Sequence, residues 1–289
     1  METINPKCPK CKANEKVVKR GLSPTKQRGK QQRYLCKSCK HTFILDNGFY
    51  KMKFGVETIT MSVDMYLSNL SSRKMRNQLK RHFSVKVSHI TVLDWVRKYV
   101  LKVQRYTEKM QPQLSGQIYA DETEIDCEIR NDVFWCAVDW ETRFISATLY
   151  SPHSQNMRDA REFMRRIRKQ GLPKYIQTDG LPFYPRAFRN VFFQKHRSDV
   201  EHRVNNVSRT RKHNVRIETV FSKLKDRVYD FRGLKALWSA PILIAGIVIQ
   251  HNFIETHTTT GQLPCELAGL KLDAGQNRWL GLIRLASAS

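Results

Sequence analysis

Three carboxylates occupy positions that favour catalysis with a divalent metal ion. Asp121 lies in the apolar run IYADET, Asp179 ends the apolar run YIQTDG, and Glu218 lies in the helical run NVRIETVFSKLKDR. A carboxylate inside a strand is unfavourable unless it is paired or bound to a cation, and two acids on neighbouring strands repel each other. Carboxylate oxygens favour Mg²⁺ or Mn²⁺, and such ions can activate an attacking oxygen and stabilise the leaving oxygen at phosphorus.

Each of these acids also has a structural interpretation. Asp179 and Gly180 could form a simple turn, and Glu218 could be a solvated helix acid. Lys225 follows Glu218 by seven residues, about two helical turns, so it shares the same edge of the helix and could hold a DNA phosphate near the metal. The acids that compete with these three for a catalytic role are Glu122, Glu124, Asp139 and Glu201.

Four of the seven cysteines indicate a structural zinc site. Cys8 and Cys11 form one CxxC pair, and Cys36 and Cys39 form a second pair after 24 intervening residues. Four thiolates close a tetrahedral site with no open coordination position. Two disulfides or a redox motif are the alternatives. A duplicated motif in a segment with little apolar content favours a metal, because that segment cannot fold on a core of its own.

The charge of the chain predicts a polyanionic partner. Its 289 residues include 51 Lys and Arg against 26 Asp and Glu, which gives a net charge of +25. Such a field attracts nucleic acid and makes binding salt-dependent, although an unspecifically basic protein has the same balance. The longest apolar run, 240–249, is about half of the roughly 20 residues of a membrane span. The sequence therefore predicts a cytoplasmic protein with no membrane segment, and, without a phosphate-loop glycine motif, no nucleotide cofactor.

The elements that must position these residues follow from periodicity. A helical pattern begins near residue 55, a second helix is predicted over 72–82, and a third begins after the N-cap Ser88. The last two resemble a helix-turn-helix, which places the start of its second helix in the major groove, although an ordinary helical hairpin has the same pattern. The predicted DNA contacts here are Arg73, Lys74, Ser88, His89 and Thr91.

After residue 116 the pattern changes to strands. Three β-rich runs, a helix and a further strand indicate an α/β fold with a mixed sheet and a crossover. The predicted strands are 117–123, 133–140, 143–150 and 174–180, and the predicted helices are 155–170, 216–229 and one that begins at 239.

The polar segment 203–216 precedes the helix of Glu218. Its sequence, RVNNVSRTRKHNVR, is too polar for a core, and we interpret it as a DNA-contacting loop beside the acids, against the alternative of a solvated connector. The predicted contacts are Arg203, Arg209, Arg211, Lys212 and Arg216.

Together these residues resemble the DDE transposases of prokaryotic insertion sequences, above all the insertion-sequence-six group and its archaeal relatives. The resemblance rests on the run Asp121-Glu122-Thr123, on Thr178-Asp179-Gly180, and on Glu218 with Lys225. Spacings of 58 residues between the first two acids and 39 between the last two suit that family. The C-terminal motifs that fit are His251-Asn252, His257 and the run LPCELAG at 263–269.

The resemblance implies a ribonuclease H-like core with a mixed five-stranded sheet, preceded by a small zinc ribbon and a helix-turn-helix domain. Asp121 would lie on the first strand, Asp179 just after the fourth, and Glu218 on a late helix. The implied domains are a zinc ribbon over 1–54, a helix-turn-helix domain over 55–110 and a catalytic domain with C-terminal helices over 111–289.

The resemblance also implies an activity. A homodimer or higher oligomer would bind the inverted terminal ends of its element on double-stranded DNA, cleave a strand at each end and join it to target DNA. Asp121, Asp179 and Glu218 would hold Mg²⁺ or Mn²⁺. The alternatives are a catalytically silent, domesticated DNA-binding regulator of the same fold and a nuclease that does not transpose.

Overall fold

The computed structural model describes residues 6–25, 29–127, 130–194, 197–205, 215–230 and 239–288. Two compact units divide the chain: residues 1–62 with 274–289, and residues 63–273. Within the described ranges, every helix is too short or too polar to cross a membrane. The division into three domains at residues 54 and 110 stays a prediction.

The first unit contains a small antiparallel sheet. Its strands, in spatial order, are β1 (Val17–Thr25), β2 (Gly29–Cys36) and β3 (Thr42–Ile44). Among the residues that the structure describes here, the buried side chains of its core are Cys8, Val17, Cys36 and Phe43, so the apolar core is small. The run GKQQRYLC of β2 is mostly polar, which is why its sequence did not predict a strand.

The first unit also includes both ends of the chain. The helix α1 (Val56–Leu67) begins in this unit, and the last helix, Arg278–Ala288, ends in it. Asn277 Nδ2 donates a hydrogen bond to Thr60 Oγ1 at 2.9 Å, which ties the start of the last helix to α1.

Two helices open the second unit after the end of α1. They are α2 (Ser72–Phe83) and α3 (His89–Thr107). Ser71 and Ser88 cap them, and each hydroxyl oxygen accepts a backbone N–H of the first turn, at 3.3 and 3.0 Å. Both helices begin as the sequence predicts because an N-cap is a local signal. Trp95 and Val96 of α3 are buried, as its apolar stripe requires.

A mixed five-stranded sheet is the centre of the second unit. The three strands at one side are antiparallel. Next to them β7 (Tyr175–Thr178) pairs in parallel with β4 (Gln117–Cys127), and β8 (Glu201–Val204) pairs in parallel with β7. The spatial order is β6-β5-β4-β7-β8, which confirms the predicted α/β, ribonuclease H-like core. The strands are β4 (Gln117–Cys127), β5 (Arg130–Asp139), β6 (Ile145–Ser151), β7 (Tyr175–Thr178) and β8 (Glu201–Val204).

Helices cover both faces of this sheet. On one face Trp135 of β5 packs against Phe163 of α4 (Met157–Lys169) and Tyr184 of α5 (Phe183–Phe192), with ring centroids 5.7 Å apart in both pairs. On the other face Phe134 packs edge-on against Phe221 of α6 at 6.1 Å. The remaining helices of the described chain are α4 (Met157–Lys169), α5 (Phe183–Phe192), α6 (Val215–Asp230), α7 (Ala240–Ile249, continued by a π-helical turn at Gln250–Ile254), α8 (Pro264–Leu267) and α9 (Arg278–Ala288).

Candidate active site

Two of the predicted catalytic acids meet where β4 runs past the end of β7. The parallel pairing of these strands covers only Gln117 to Tyr119 of β4. Asp121 is two residues further along β4, and Asp179 directly follows Thr178, the last residue of β7. Because alternate residues of a strand share a face and Tyr119 pairs with Gln177, Asp121 and Asp179 leave the sheet on the same side.

A third carboxylate, that of Glu122, joins them. One carboxylate oxygen from each of Asp121, Glu122 and Asp179 lies within 4.8 Å of the others. The backbone holds both aspartates, since Asp121 Oδ1 accepts the N–H of Glu122 at 2.9 Å and Asp179 Oδ1 accepts that of Leu181 at 3.0 Å. Each aspartate therefore has one oxygen fixed by the chain, and its second oxygen can serve as a ligand.

The site is electrostatically strained without a cation. Burial raises the pKa of Asp121 to about 7, and the charges of Asp179 and Glu218 add to that shift. Burial likewise raises the pKa of Glu122 to about 8, with Asp179 and Asp121 contributing in the same direction. A divalent cation relieves this repulsion, and an all-oxygen set of hard ligands suits Mg²⁺ or Mn²⁺ rather than zinc.

Glu218, on the helix that packs on this part of the sheet, is not part of the cluster. It is an exposed residue of α6, the helix that packs on β4 and β5, and within the described residues it does not belong to the set of oxygens within 4.8 Å. Its charge nevertheless raises the pKa of Asp121, and that of Lys225 on the same helix lowers it. The seven-residue spacing therefore places both side chains near the acids, and their catalytic roles stay predictions.

Of the acids that compete for a catalytic role, Glu124 is exposed and is not among the described oxygens within 4.8 Å of one another, and two others have partners of their own. Asp139 is fully buried, and its Oδ1 accepts the N–H and the hydroxyl of Thr142 at 3.0 and 2.9 Å. Its Oδ2 accepts the Ser115 hydroxyl at 2.9 Å and the Gly116 N–H at 3.3 Å, so Asp139 closes the end of β5. Glu201 is exposed on β8 and pairs with Arg203 at 2.7 Å.

Two residues that hold Glu122 were not identified from the sequence. The Tyr184 hydroxyl donates to Glu122 Oε2, and Gln155 Nε2 donates to Glu122 Oε1 at 3.1 Å. Tyr184 lies on α5, a helix outside the elements predicted from the sequence, and its run FYPRAFRNVF contains a proline. Pro185 is the third residue of that helix, where a missing N–H costs little, so the proline was compatible with a helix start.

The four thiols of the ribbon fit one tetrahedral ion. Cys8 Sγ lies 3.6 Å from Cys39 Sγ, Cys11 Sγ lies 3.5 Å from Cys36 Sγ, and all four lie within 4.8 Å. Sulfurs bound to zinc at about 2.3 Å stand about 3.8 Å apart in a tetrahedron. The backbone N–H of Cys39 lowers the pKa of Cys36 against the effect of burial, whereas, against a backbone hydrogen bond from Ala13, the neighbouring thiols Cys36 and Cys39 raise the pKa of Cys11.

The two CxxC turns share a backbone conformation. Lys12 and Lys40 each follow the second cysteine of a pair, and both have a positive φ, 62° and 58°. This left-handed residue turns the chain back after each pair, so that the two turns face each other with four sulfurs between them.

The predicted DNA contacts have different surroundings. Arg203 stacks on the Tyr175 ring at 3.7 Å. Arg73 and Lys74 are exposed on α2, and His89 is partly buried. The hydroxyls of Ser88 and Thr91 bond to each other at 2.9 Å. The described residues do not include Arg209, Arg211 and Lys212, and Arg216 is described only by its backbone position in α6.

Comparison with known families gives two matches. Residues 115–257 match the DDE domain of IS240-type transposases. Residues 1–40 match the InsA N-terminal domain, which is a zinc ribbon. Together the two segments cover more than half of the chain, and a search of curated proteins gives no match.

Similar solved structures include three from retroviruses. A simian T-cell lymphotropic virus intasome in complex with PP2A regulatory subunit B56 gamma has a TM-score of 0.39 and 12% identity, over 67% of each chain. The HTLV-2 integrase catalytic core domain in complex with magnesium has, in its dimeric form, a TM-score of 0.38 and 13% identity, over 55% of this chain and 97% of that chain. Its trimeric form gives 0.37 and 15%, over 55% and 98%.

The two family matches agree with the geometry in position and order. The DDE match spans the sheet, Asp121, Asp179, Glu218 and all of α7, and the ribbon match spans the four cysteines. The acids of a DDE domain act on DNA strands, and the net charge of +25 suits that partner. The chain therefore belongs to the DDE transposases of insertion sequences.

Proposed function

We propose that this transposase binds the inverted terminal ends of its own element as a homodimer or higher oligomer, cleaves one strand at each end and joins the freed end to target DNA. The observation that supports this most is the position of the carboxylate cluster. Carboxylate oxygens of Asp121 and Asp179 lie within 4.8 Å of each other, inside the segment that matches the DDE domain. Because DNA is its substrate, we place the protein at the nucleoid.

Asp121 and Asp179 are the two acids that would hold Mg²⁺ or Mn²⁺ from the sheet, and Glu218 would complete the set from α6. When bound, such a cation supplies charge stabilisation at phosphorus and lowers the pKa of an attacking oxygen. Lys225 lies two turns along α6 from Glu218, near enough for its charge to act on Asp121. Its ammonium group would hold a DNA phosphate beside the acids.

The two chemical steps need no nucleotide cofactor. In cleavage, a water oxygen bonds to phosphorus as the bond from phosphorus to the 3′-oxygen breaks, which leaves a 3′-hydroxyl and a 5′-phosphate. In joining, that 3′-hydroxyl displaces a 3′-oxygen of the target strand. One phosphodiester bond forms for each one broken, so the joining step conserves bond energy.

The DNA-binding modules would supply recognition. Arg73 and Lys74 are exposed on α2, and α3 would present its first turn to the major groove, as in a helix-turn-helix. The ribbon would hold one structural Zn²⁺ between its two CxxC turns and add basic residues for phosphate contact. Arg203 and the basic residues up to Arg216 would contact DNA beside the acids.

A nicking assay tests this proposal. A duplex that carries the candidate element end is incubated with the full-length protein and Mg²⁺, and cleavage is followed on a sequencing gel. We expect wild type to nick the end, and Asp121→Asn, Asp179→Asn and Glu218→Gln to bind it without nicking. Glu124→Gln is the matched control, because Glu124 is exposed on the same strand as Asp121. We expect this variant to cleave the element end as wild type does.

Two outcomes would contradict the proposal. Specific binding by wild type with no cleavage in Mg²⁺ or Mn²⁺ would favour a DNA-binding regulator. Cleavage at unrelated sequences as fast as at element ends would favour a general nuclease.

A further inference from the structure

We propose that Glu122 supplies a third carboxylate ligand to the ion that Asp121 and Asp179 hold, so that the sheet itself contributes three acids before Glu218 is added. The inference rests on the proposed function, because it adds a ligand to the same site. It differs from the usual set of two aspartates and one glutamate by naming an acid adjacent to the first aspartate.

The distances fit one ion. The carboxylate oxygens of Asp121, Glu122 and Asp179 lie within 4.8 Å of one another. Oxygens bound to Mg²⁺ at about 2.1 Å stand about 3 Å apart when adjacent and about 4.2 Å apart when opposite. From the 4.8 Å limit to the adjacent spacing, a closure of up to about 1.8 Å by side-chain rotation would bring the three oxygens onto one octahedron.

The anchoring of Glu122 orients it toward this point. Tyr184 donates to Oε2 and Gln155 donates to Oε1 at 3.1 Å. A carboxylate has about four acceptor directions, so both oxygens keep capacity for a ligand. Tyr184 is fully buried and packs edge-on against Trp135 at 5.7 Å, so its hydroxyl is fixed. Tyr184 and Gln155 are thus positioning residues, comparable to the outer partners that orient metal ligands.

A purely structural role does not explain the charge. Glutamine at position 122 would accept from Gln155 with its amide oxygen, could donate to the Tyr184 hydroxyl with its amide nitrogen, and would bring no third negative charge beside two aspartates. The hydrogen bonds of this half-buried side chain do not require a charge, whereas like charges at this distance repel. A bound cation would give the charge of an acid at this position a favourable partner.

The test measures metal binding directly. Mn²⁺ is titrated into the full-length protein without DNA, and free Mn²⁺ is read from its electron paramagnetic resonance signal. Asp121→Asn with Asp179→Asn defines binding elsewhere in the chain. We expect Glu122→Gln to weaken Mn²⁺ binding at this site by about tenfold or more and Tyr184→Phe to weaken it less, in line with losses at comparable ligand shells. Glu124→Gln should bind as wild type does.

Cleavage supplies a second readout. The Mg²⁺ concentration for half-maximal nicking should rise in Glu122→Gln, and excess Mg²⁺ should recover part of the rate. Unchanged Mn²⁺ affinity in folded Glu122→Gln, with binding lost in Asp121→Asn, would overturn the inference and leave the proposed function intact. If Asp121→Asn and Asp179→Asn also kept the wild-type Mn²⁺ affinity and cleavage rate, both this inference and the proposed function would be overturned.

Discussion

Asp121 and Glu122 leave strand β4 on opposite faces, yet their carboxylate oxygens lie within 4.8 Å of each other. Asp121 shares its face of the sheet with Asp179, while Glu122 accepts a hydrogen bond from Tyr184 of α5, which packs on the other face. The convergence is possible because β7 ends at Thr178, which leaves β4 open on that side. The end of one short strand thus creates the site.

The cluster predicts a characteristic pH dependence of stability. The folded-state pKa of Asp121 is raised from 3.8 to about 7 and that of Glu122 from 4.5 to about 8. Between the unfolded and folded pKa of each group, the folded protein binds more protons than the unfolded chain. The free energy of unfolding therefore falls as the pH rises through these ranges. We expect the melting temperature of the metal-free protein to fall from pH 6.5 to 8, and Mg²⁺ to reduce that fall.

The comparison with Asp121→Asn and Glu122→Gln isolates this effect. Burial lowers the pKa of His251 to about 4, so His251 acts in the opposite direction below pH 6.5, equally in wild type and variants. Thermal unfolding in the presence of a chelator is the measurement. A slope between pH 6.5 and 8 that is as steep in both variants as in wild type would contradict the account of the cluster.

The fold could be predicted where its signals are local. Ser71 and Ser88 cap helices as their sequence indicates, and the apolar strands β4 to β7 lie close to the predicted ranges. The fifth strand, β8, was missed because its four residues, EHRV, are polar and largely exposed. Such a strand depends on the neighbouring β7, which local sequence does not show.

The site was only partly predictable for a similar reason. Asp121 and Asp179 were identifiable because each interrupts or ends an apolar run. The membership of Glu122 was not, because strand alternation places it on the opposite face from Asp121. Only the position of Tyr184, from a helix 62 residues away in sequence, reveals where the Glu122 carboxylate points.

Asp139 is predicted to stabilise the fold rather than to act in catalysis. Its carboxylate accepts four hydrogen bonds, from Ser115, Gly116 and Thr142, and it is fully buried. Asp139→Ala would strand these donors and should lower the free energy of unfolding by about 3 kcal/mol or more. Urea unfolding measures this loss. Loss of cleavage in a stably folded Asp139→Asn, with normal unfolding, would contradict the structural assignment.

The ribbon is predicted to depend on one zinc ion. Among the described residues of this cluster, the buried side chains besides Cys8 and Cys36 are Val17 and Phe43, so a metal would take the place of a hydrophobic core. Metal analysis should find one zinc per chain in wild type and none in Cys36→Ser, whose residues 6–44 should become sensitive to protease. Cys265→Ala, at a buried cysteine outside the ribbon, is the control and should retain zinc. A protease-resistant ribbon after zinc removal would refute this dependence.

The helix α2 is predicted to contact DNA phosphates. Arg73 and Lys74 are exposed on it, and their joint replacement by alanine should weaken binding to all sequences and lower the salt slope by about 1 to 2. The matched control is Arg165→Ala on α4, which removes one exposed charge that lies 3.8 Å from Glu162. Titrations at several salt concentrations measure both slopes. An equal loss of DNA affinity in Arg165→Ala would show only the effect of net charge and would contradict a specific role of α2.

Strand joining tests the central claim most directly. A duplex with a pre-cut element end and a free 3′-hydroxyl is incubated with a target plasmid and Mg²⁺, and DNA binding is measured in the same samples. We predict that wild type joins the end to the plasmid, and that Asp121→Asn and Asp179→Asn bind the end equally well but join nothing. Joining by either aspartate variant at the wild-type rate would contradict the assignment of these two acids as the catalytic pair.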